Sequence, residues 1–178
     1  METKYEHKPE LTFIGFSAVF NHEEGYRKCP EFWEKEYYQR FATLCKTMKP
    51  QNALEAAIVD NKVGMFAVCQ SNGEGQFEYA ISGLYQGGEV PEGLKLFTYP
   101  ESDWALFPAK GPLPTSLQSV NTEIWEKWFP TDGIKLGANP HFNIEFYSPG
   151  DANSPDYECG IWIPLANQNG CADPEINN

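Results

Sequence analysis

Phe32-Trp33-Glu34-Lys35 and Ile124-Trp125-Glu126-Lys127 are two copies of one pattern, 92 residues apart in a chain of 178. Each copy lies inside an apolar stripe of helical spacing. Trp33, Tyr37, Phe41, Leu44 and Met48 step by three or four residues around the first. Leu113, Leu117, Val120, Ile124 and Trp128 do the same around the second. Such spacing puts large side chains on one face of a helix. Gly64-Met65-Phe66-Ala67-Val68 is similar in character to Gly160-Ile161-Trp162-Ile163-Pro164, and the shared order of the two matches argues for internal duplication.

Working outward, the first half reads as a strand over 11–20, a polar loop over 21–28, and a helix entered at Pro30. Glu31 and Glu34 complement the dipole of that helix, and Pro50 ends it. Residues 56–60 and 63–70 read as a hairpin about Asn61. Ser71-Asn72-Gly73-Glu74-Gly75 is a turn, with a strand over 76–86 after it. A glycine-rich loop over 87–93 joins the halves. The second half reads as a strand over 103–109, a helix stopped by Pro130 and Gly133, and strands over 142–147 and 157–165, before a polar tail from Asn167. The expectation is one α+β domain over 1–178, with strand-helix-strand-strand halves at about 9–86 and 95–166. A mostly antiparallel sheet would carry two long helices on one face and a ligand cleft on the other.

The strand Phe142-Asn143-Ile144-Glu145-Phe146-Tyr147 holds the chemistry. Alternation puts Phe142, Ile144 and Phe146 on a core face, and Asn143, Glu145 and Tyr147 on the other. That second face is either solvated or shielded. If it is shielded, Glu145 is costly unless something positive meets it.

Composition narrows the function classes. Hydrophobic residues make up 41% of the chain and aromatics 15%, enough for a core with rings to spare for a pocket. No apolar run approaches the ~20 residues of a spanning helix, and the start lacks the apolar core of a signal peptide. A soluble, cytoplasmic protein is expected. A net charge of −12 disfavours direct nucleic-acid binding and favours cationic partners. Five cysteines, none in a C-x-x-C pair, and three scattered histidines suggest neither a disulfide framework nor a metal site. There is no phosphate-binding loop, dinucleotide fingerprint or G-x-S-x-G, so no cofactor is expected.

Five motifs in order resemble the GyrI-like proteins, whose effector-binding domains also end AraC-type and MerR-type regulators. Val90-Pro91-Glu92-Gly93-Leu94 resembles the "VPEGM" loop, and the passage from Trp104 to Pro114 the strand-turn-helix with "GP-P". Glu123 to Phe129 resembles the helix end, Phe142 to Tyr147 the "FE-Y" strand, and Ile161 to Leu165 the closing "IWIPV" strand. The resemblance spans residues 11–165. It implies tandem strand-helix-strand-strand units and a cleft centred on an acid, which in drug-sensing members meets lipophilic cations. Glu145 matches that acid. By matched motif the cleft would also take Trp104, Phe107, Tyr147 and Trp162, with Tyr37 and Phe66 as weaker additions and Asn143 orienting the ligand.

Three functions follow as expectations. The first is binding of amphipathic cationic or aromatic molecules, by sequestration or sensing. Regulators of the family carry a helix-turn-helix domain, and this chain begins almost at its first strand, so direct DNA binding is not expected. The second is hydrolysis of reactive cyclopropane-bearing compounds, as in some similar proteins, with Glu145 as acid or base and Tyr147, Trp104 or Trp162 orienting substrate or water. The third is a protein-interaction module, after the gyrase inhibitor that gives the family its name.

Overall fold

The computed structural model describes residues 1–166. The tail expected from Asn167, with Cys171 in it, lies outside the described residues. The strands are β1 (Lys4–Lys8), β2 (Leu11–Asn21), β3 (Phe66–Ser71), β4 (Gln76–Leu84), β5 (Lys95–Tyr99), β6 (Ser102–Lys110), β7 (Phe142–Tyr147) and β8 (Glu158–Pro164). They form one antiparallel sheet in the order β1-β6-β8-β7-β3-β4-β2-β5.

That order is symmetric about the β3–β7 seam. β4 stands between β3 and β2 as β8 stands between β7 and β6. The halves are therefore duplicated as expected, but β3 corresponds to β7. The match drawn above between Gly64–Val68 and Gly160–Pro164 pairs a seam strand with a middle strand. Two short apolar runs look alike whichever strand they form. β1 and β5, not anticipated from the sequence, are exchanged: each leads into its own half but pairs with the edge of the other, β1 on β6 and β5 on β2.

The first helical run opens with a turn at His22–Glu24 and continues as α1 (Gly25–Phe32), a π-helical segment (Trp33–Gln39) and α2 (Ala42–Thr47). It begins before Pro30, which lies inside α1. Proline offers no N–H to the carbonyl four residues back. That carbonyl, Tyr26 O, instead accepts from Gln118 Nε2 at 2.8 Å. A partner on the other helix thus stabilises the proline in an interior position. The second run is α4 (Thr115–Glu123) followed by a π-helical segment (Ile124–Gly133) that passes through Pro130. Both π segments start at the repeated pattern, at Trp33 and Ile124.

Residues 56–60 are not a strand. They belong to helix α3 (Ala53–Asp60). Asn52 caps it by accepting from Glu55 N at 2.9 Å, and Glu55 Oε2 reaches back to Gln51 N at 2.7 Å. This is a variant of the capping box, in which the glutamate takes the N–H of the residue before the cap rather than the cap's own. After it, Gly64 holds φ +110°, and a Cβ there would stand 2.5 Å from the Tyr37 hydroxyl.

Packing occurs on both sheet faces. The helices cover Ile14, Phe16, Ala67, Ile81, Phe107 and Ile161, among others. The other face holds Phe13, Phe66, Val68, Phe97, Trp104, Phe142 and Ile144. The sheet curls around this second cluster, so Tyr99 on edge strand β5 meets Phe142 at 4.6 Å and Trp104 at 5.1 Å between ring centres. Each such buried large side chain contributes about 1.5–3 kcal/mol. Among the described residues, no helix is long and apolar enough to cross a membrane.

Candidate functional site

A cavity of about 1490 Å³ opens between the two helical runs. It lies on the helix-bearing face of the sheet, whereas the sequence reading put the cleft on the opposite face. The curl explains the difference: it fills the far face with its own aromatic cluster, and the helices, splayed apart over the seam, leave the gap. Above the gap the two runs meet at Tyr26. Its hydroxyl lies 2.7 Å from Thr122 Oγ1 and 3.0 Å from Asn121 Nδ2, and it donates to Gln118 O at 3.3 Å.

The cavity floor comes from the strands beside the seam. Asn143, Glu145 and Tyr147 project into it from β7, as alternation required, with Cys69 from β3 and Tyr79 from β4. Glu145 is the centre of a hydrogen-bond array. Tyr79 and Tyr147 both donate to Glu145 Oε2 at 2.6 Å, and Trp33 Nε1 donates to the Tyr79 hydroxyl at 2.8 Å. The Trp33 ring also stands edge-on to Tyr147, at 5.0 Å and 67°. Tyr37 lines the wall, pinned by donation to Val63 O at 2.7 Å.

Electrostatics here are one-sided. Burial raises the Glu145 pKa above the ordinary carboxyl value, and the two phenol donors pull it back in part. Among the described residues, no basic side chain acts on it. Burial and the nearby carboxylate push the Tyr79 and Tyr147 phenols well up, so both stay protonated donors. Burial, with Glu145 close by, likewise raises the Cys29 and Cys69 thiols, which remain neutral. Among the described residues, no group of three histidine, cysteine or acidic side chains could hold a metal ion.

The sequence matches the GyrI-like small molecule binding domain over residues 1–166. The chain belongs to that family. Solved structures share the fold of this GyrI-like domain. A Staphylococcus aureus MU50 protein assigned to bacterial transcription regulation is 20% identical, with a TM-score of 0.70, over 93% of this chain and 98% of that one. SAV2435, bound to tetraphenylphosphonium, is 21% identical, with a TM-score of 0.69, over 93% and 94%. An integron cassette protein of Vibrio cholerae is 12% identical, with a TM-score of 0.62, over 92% and 95%. At these identities the likeness is one of fold. No curated protein matches the chain.

The GyrI-like cavity brings together four of the residues expected from sequence: Glu145, Tyr147, Asn143 and Tyr37. It does not bring the other four to them. Trp104, Trp162 and Phe66 belong to the aromatic cluster on the far face. Register gives the reason: Ile161 pairs with Glu145, so its neighbour Trp162 points the opposite way and pairs with Ile144. Phe107 shares the helix face but lies under Trp128, at 4.7 Å between ring centres and fully buried. Sequence reasoning passed over Tyr79 and Trp33. Nothing in the pattern around Tyr79 marks it, and only the β3–β4 and β3–β7 registers bring it to Glu145. Trp33 reads as helix core because its indole faces the sheet. That indole nevertheless lines the cavity.

Proposed function

We propose that this GyrI-like domain binds lipophilic organic cations in the cavity between its helical runs, as a sequestering or sensing module, with Glu145 as the counter-charge. Tyr147, Tyr37, Trp33 and Tyr79 supply aromatic surface, and Asn143 lies beside them on the floor. The observation that carries this reading is a carboxylate held on a shielded, aromatic floor by two phenol hydrogen bonds and no basic partner among the described residues. A half-buried carboxylate on an aromatic floor without a cation is costly, and a delocalised cation that sheds little hydration relieves that cost. Each aromatic face in reach adds about 0.5–2 kcal/mol. The cavity exceeds the ~300–1,000 Å³ of ordinary ligand sites, which suits bulky ligands held by charge and rings rather than close shape. The tetraphenylphosphonium bound to SAV2435, a protein of like fold, is a cation of this class.

Calorimetric titration of tetraphenylphosphonium and of a neutral tetraaryl analogue tests the proposal. The cation is expected to bind the wild type, the neutral analogue at least tenfold more weakly, and Glu145→Gln to lose tenfold or more for the cation alone. Equal binding of the cation by wild type and Glu145→Gln would overturn it.

A further inference from the structure

The polar side chains of β7 facing the cavity are not equivalent. Glu145 Oε2 is engaged by two phenols, and Tyr147 spends its hydroxyl on that bond. Asn143, one strand repeat before Glu145, is half-buried and lines the same floor. Among the described residues, its amide side chain makes no hydrogen bond. Its cross-strand neighbour is Cys69, whose neutral thiol is only a weak partner. His141, at the mouth of the cavity beyond Asn143, continues the row.

We infer that Asn143 is a specificity-determining residue, selecting cations that carry a neutral hydrogen-bonding group such as a carboxamide one strand repeat from the charge. This rests on the cation-binding reading above and names the ligand class within it. Residues two apart on a strand are separated by roughly 6.5 Å, so a ligand whose charge sits over Glu145 presents atoms at that distance to Asn143. A primary amide offers both donors and an acceptor there, complementing a ligand carboxamide in two directions at once. A purely hydrocarbon ligand of the same size strips water from the Asn143 amide and returns nothing. Leaving a desolvated polar group unpaired costs more than the average hydrogen bond gains. Discrimination therefore comes as much from rejecting plain aryl or alkyl cations as from attracting amide-bearing ones. Rings tolerant of shape share the opposite wall with Gln118 and Asn121, whose amides already donate to Tyr26, so Asn143 is the amide left on the floor to read functional groups rather than bulk.

The experiment compares two triphenylphosphonium salts, one with a butyl fourth substituent and one with a pentanamide chain, by calorimetric titration. Proteins are the wild type, Asn143→Ala and Asn143→Leu, each checked for an unchanged circular dichroism spectrum. The reading is the ratio of the two affinities within each protein, which cancels any general change in the cavity. The wild type is expected to favour the amide-bearing cation about fivefold or more, and the ratio to fall to about one in whichever variant folds. Equal affinities in the wild type would overturn the inference while the cation-binding reading stands. A preference surviving both substitutions would overturn the assignment to Asn143. Failure of both salts to bind the wild type would overturn both readings together.

Discussion

The Tyr79 hydroxyl stands 2.6 Å from Glu145 Oε2, a bond from a strand of the first half to a seam strand of the second. Tyr147 donates to the same oxygen from within its own strand. One carboxylate oxygen thus holds two phenols from two halves, and behind Tyr79 the Trp33 indole extends the chain to the first helical run.

Cation binding is expected to depend on pH with a defined sign. Burial raises the pKa of Glu145, so the group is still partly protonated above the ordinary value of about 4.3. A bound cation favours the ionised form and lowers that pKa. Affinity for tetraphenylphosphonium should therefore fall as pH drops through the Glu145 pKa, and binding there should release protons. Titrations in buffers of different ionisation enthalpy measure the release. Glu145→Gln should show a flat profile.

The same shift makes Glu145 a stability liability in the free protein. A carboxyl whose folded pKa is raised contributes stability that is full below its unfolded value and is lost as pH rises through the folded one. Glu145→Gln should therefore melt higher than the wild type near pH 8, by roughly 2–4 °C for each kcal/mol recovered. The gap should close toward pH 4. Melting curves across that range that run parallel would refute the account.

The two phenols should not be equivalent. Tyr147→Phe removes one donor to Glu145 and should cost about 1 kcal/mol. Tyr79→Phe removes a donor and also deprives the Trp33 N–H of its acceptor, a loss of about 1–3 kcal/mol more if that group stays buried. Denaturant unfolding should rank Tyr79→Phe as the less stable. Both should move the pH midpoint of cation binding upward, because each deletes a bond that favours the charged carboxylate.

Gly64→Ala should destabilise by more than about 1 kcal/mol. Its φ of +110° is strained for any other residue, and the added methyl would meet Tyr37 at 2.5 Å from Oη and 2.7 Å from Cζ. Tyr37 forms part of the cavity wall, so cation affinity should fall as well. Thermal melts and calorimetry on the same preparation read both effects.

The fold class and the two faces of β7 were legible from periodicity, and the duplication from the repeat of Phe32–Lys35 as Ile124–Lys127. Glu145, Asn143 and Tyr147 share a face for the reason that every second residue of a strand does. What periodicity does not carry is register. Trp162 and Phe66 carry large rings in apolar strands and look ready for a pocket, yet a one-residue offset against β7 sends both to the far side. Tyr79 arrives at Glu145 through two successive strand pairings that no local pattern encodes. The helix at residues 53–60 was legible in principle from the Asn52 and Glu55 pair. The helical position of Pro30 was not, since it depends on a glutamine 88 positions further along the chain.

The traded leading strands also govern what a protease could achieve. Cutting the glycine-rich connection over 87–93 would leave β1 of the front fragment laced onto β6 of the rear, β5 of the rear laced onto β2 of the front, and the β3–β7 seam intact between them. The pieces would remain one particle until denatured, and neither would keep a complete sheet edge if separated. In mechanical terms the molecule is two interlocked clasps, and the cavity opens where they close.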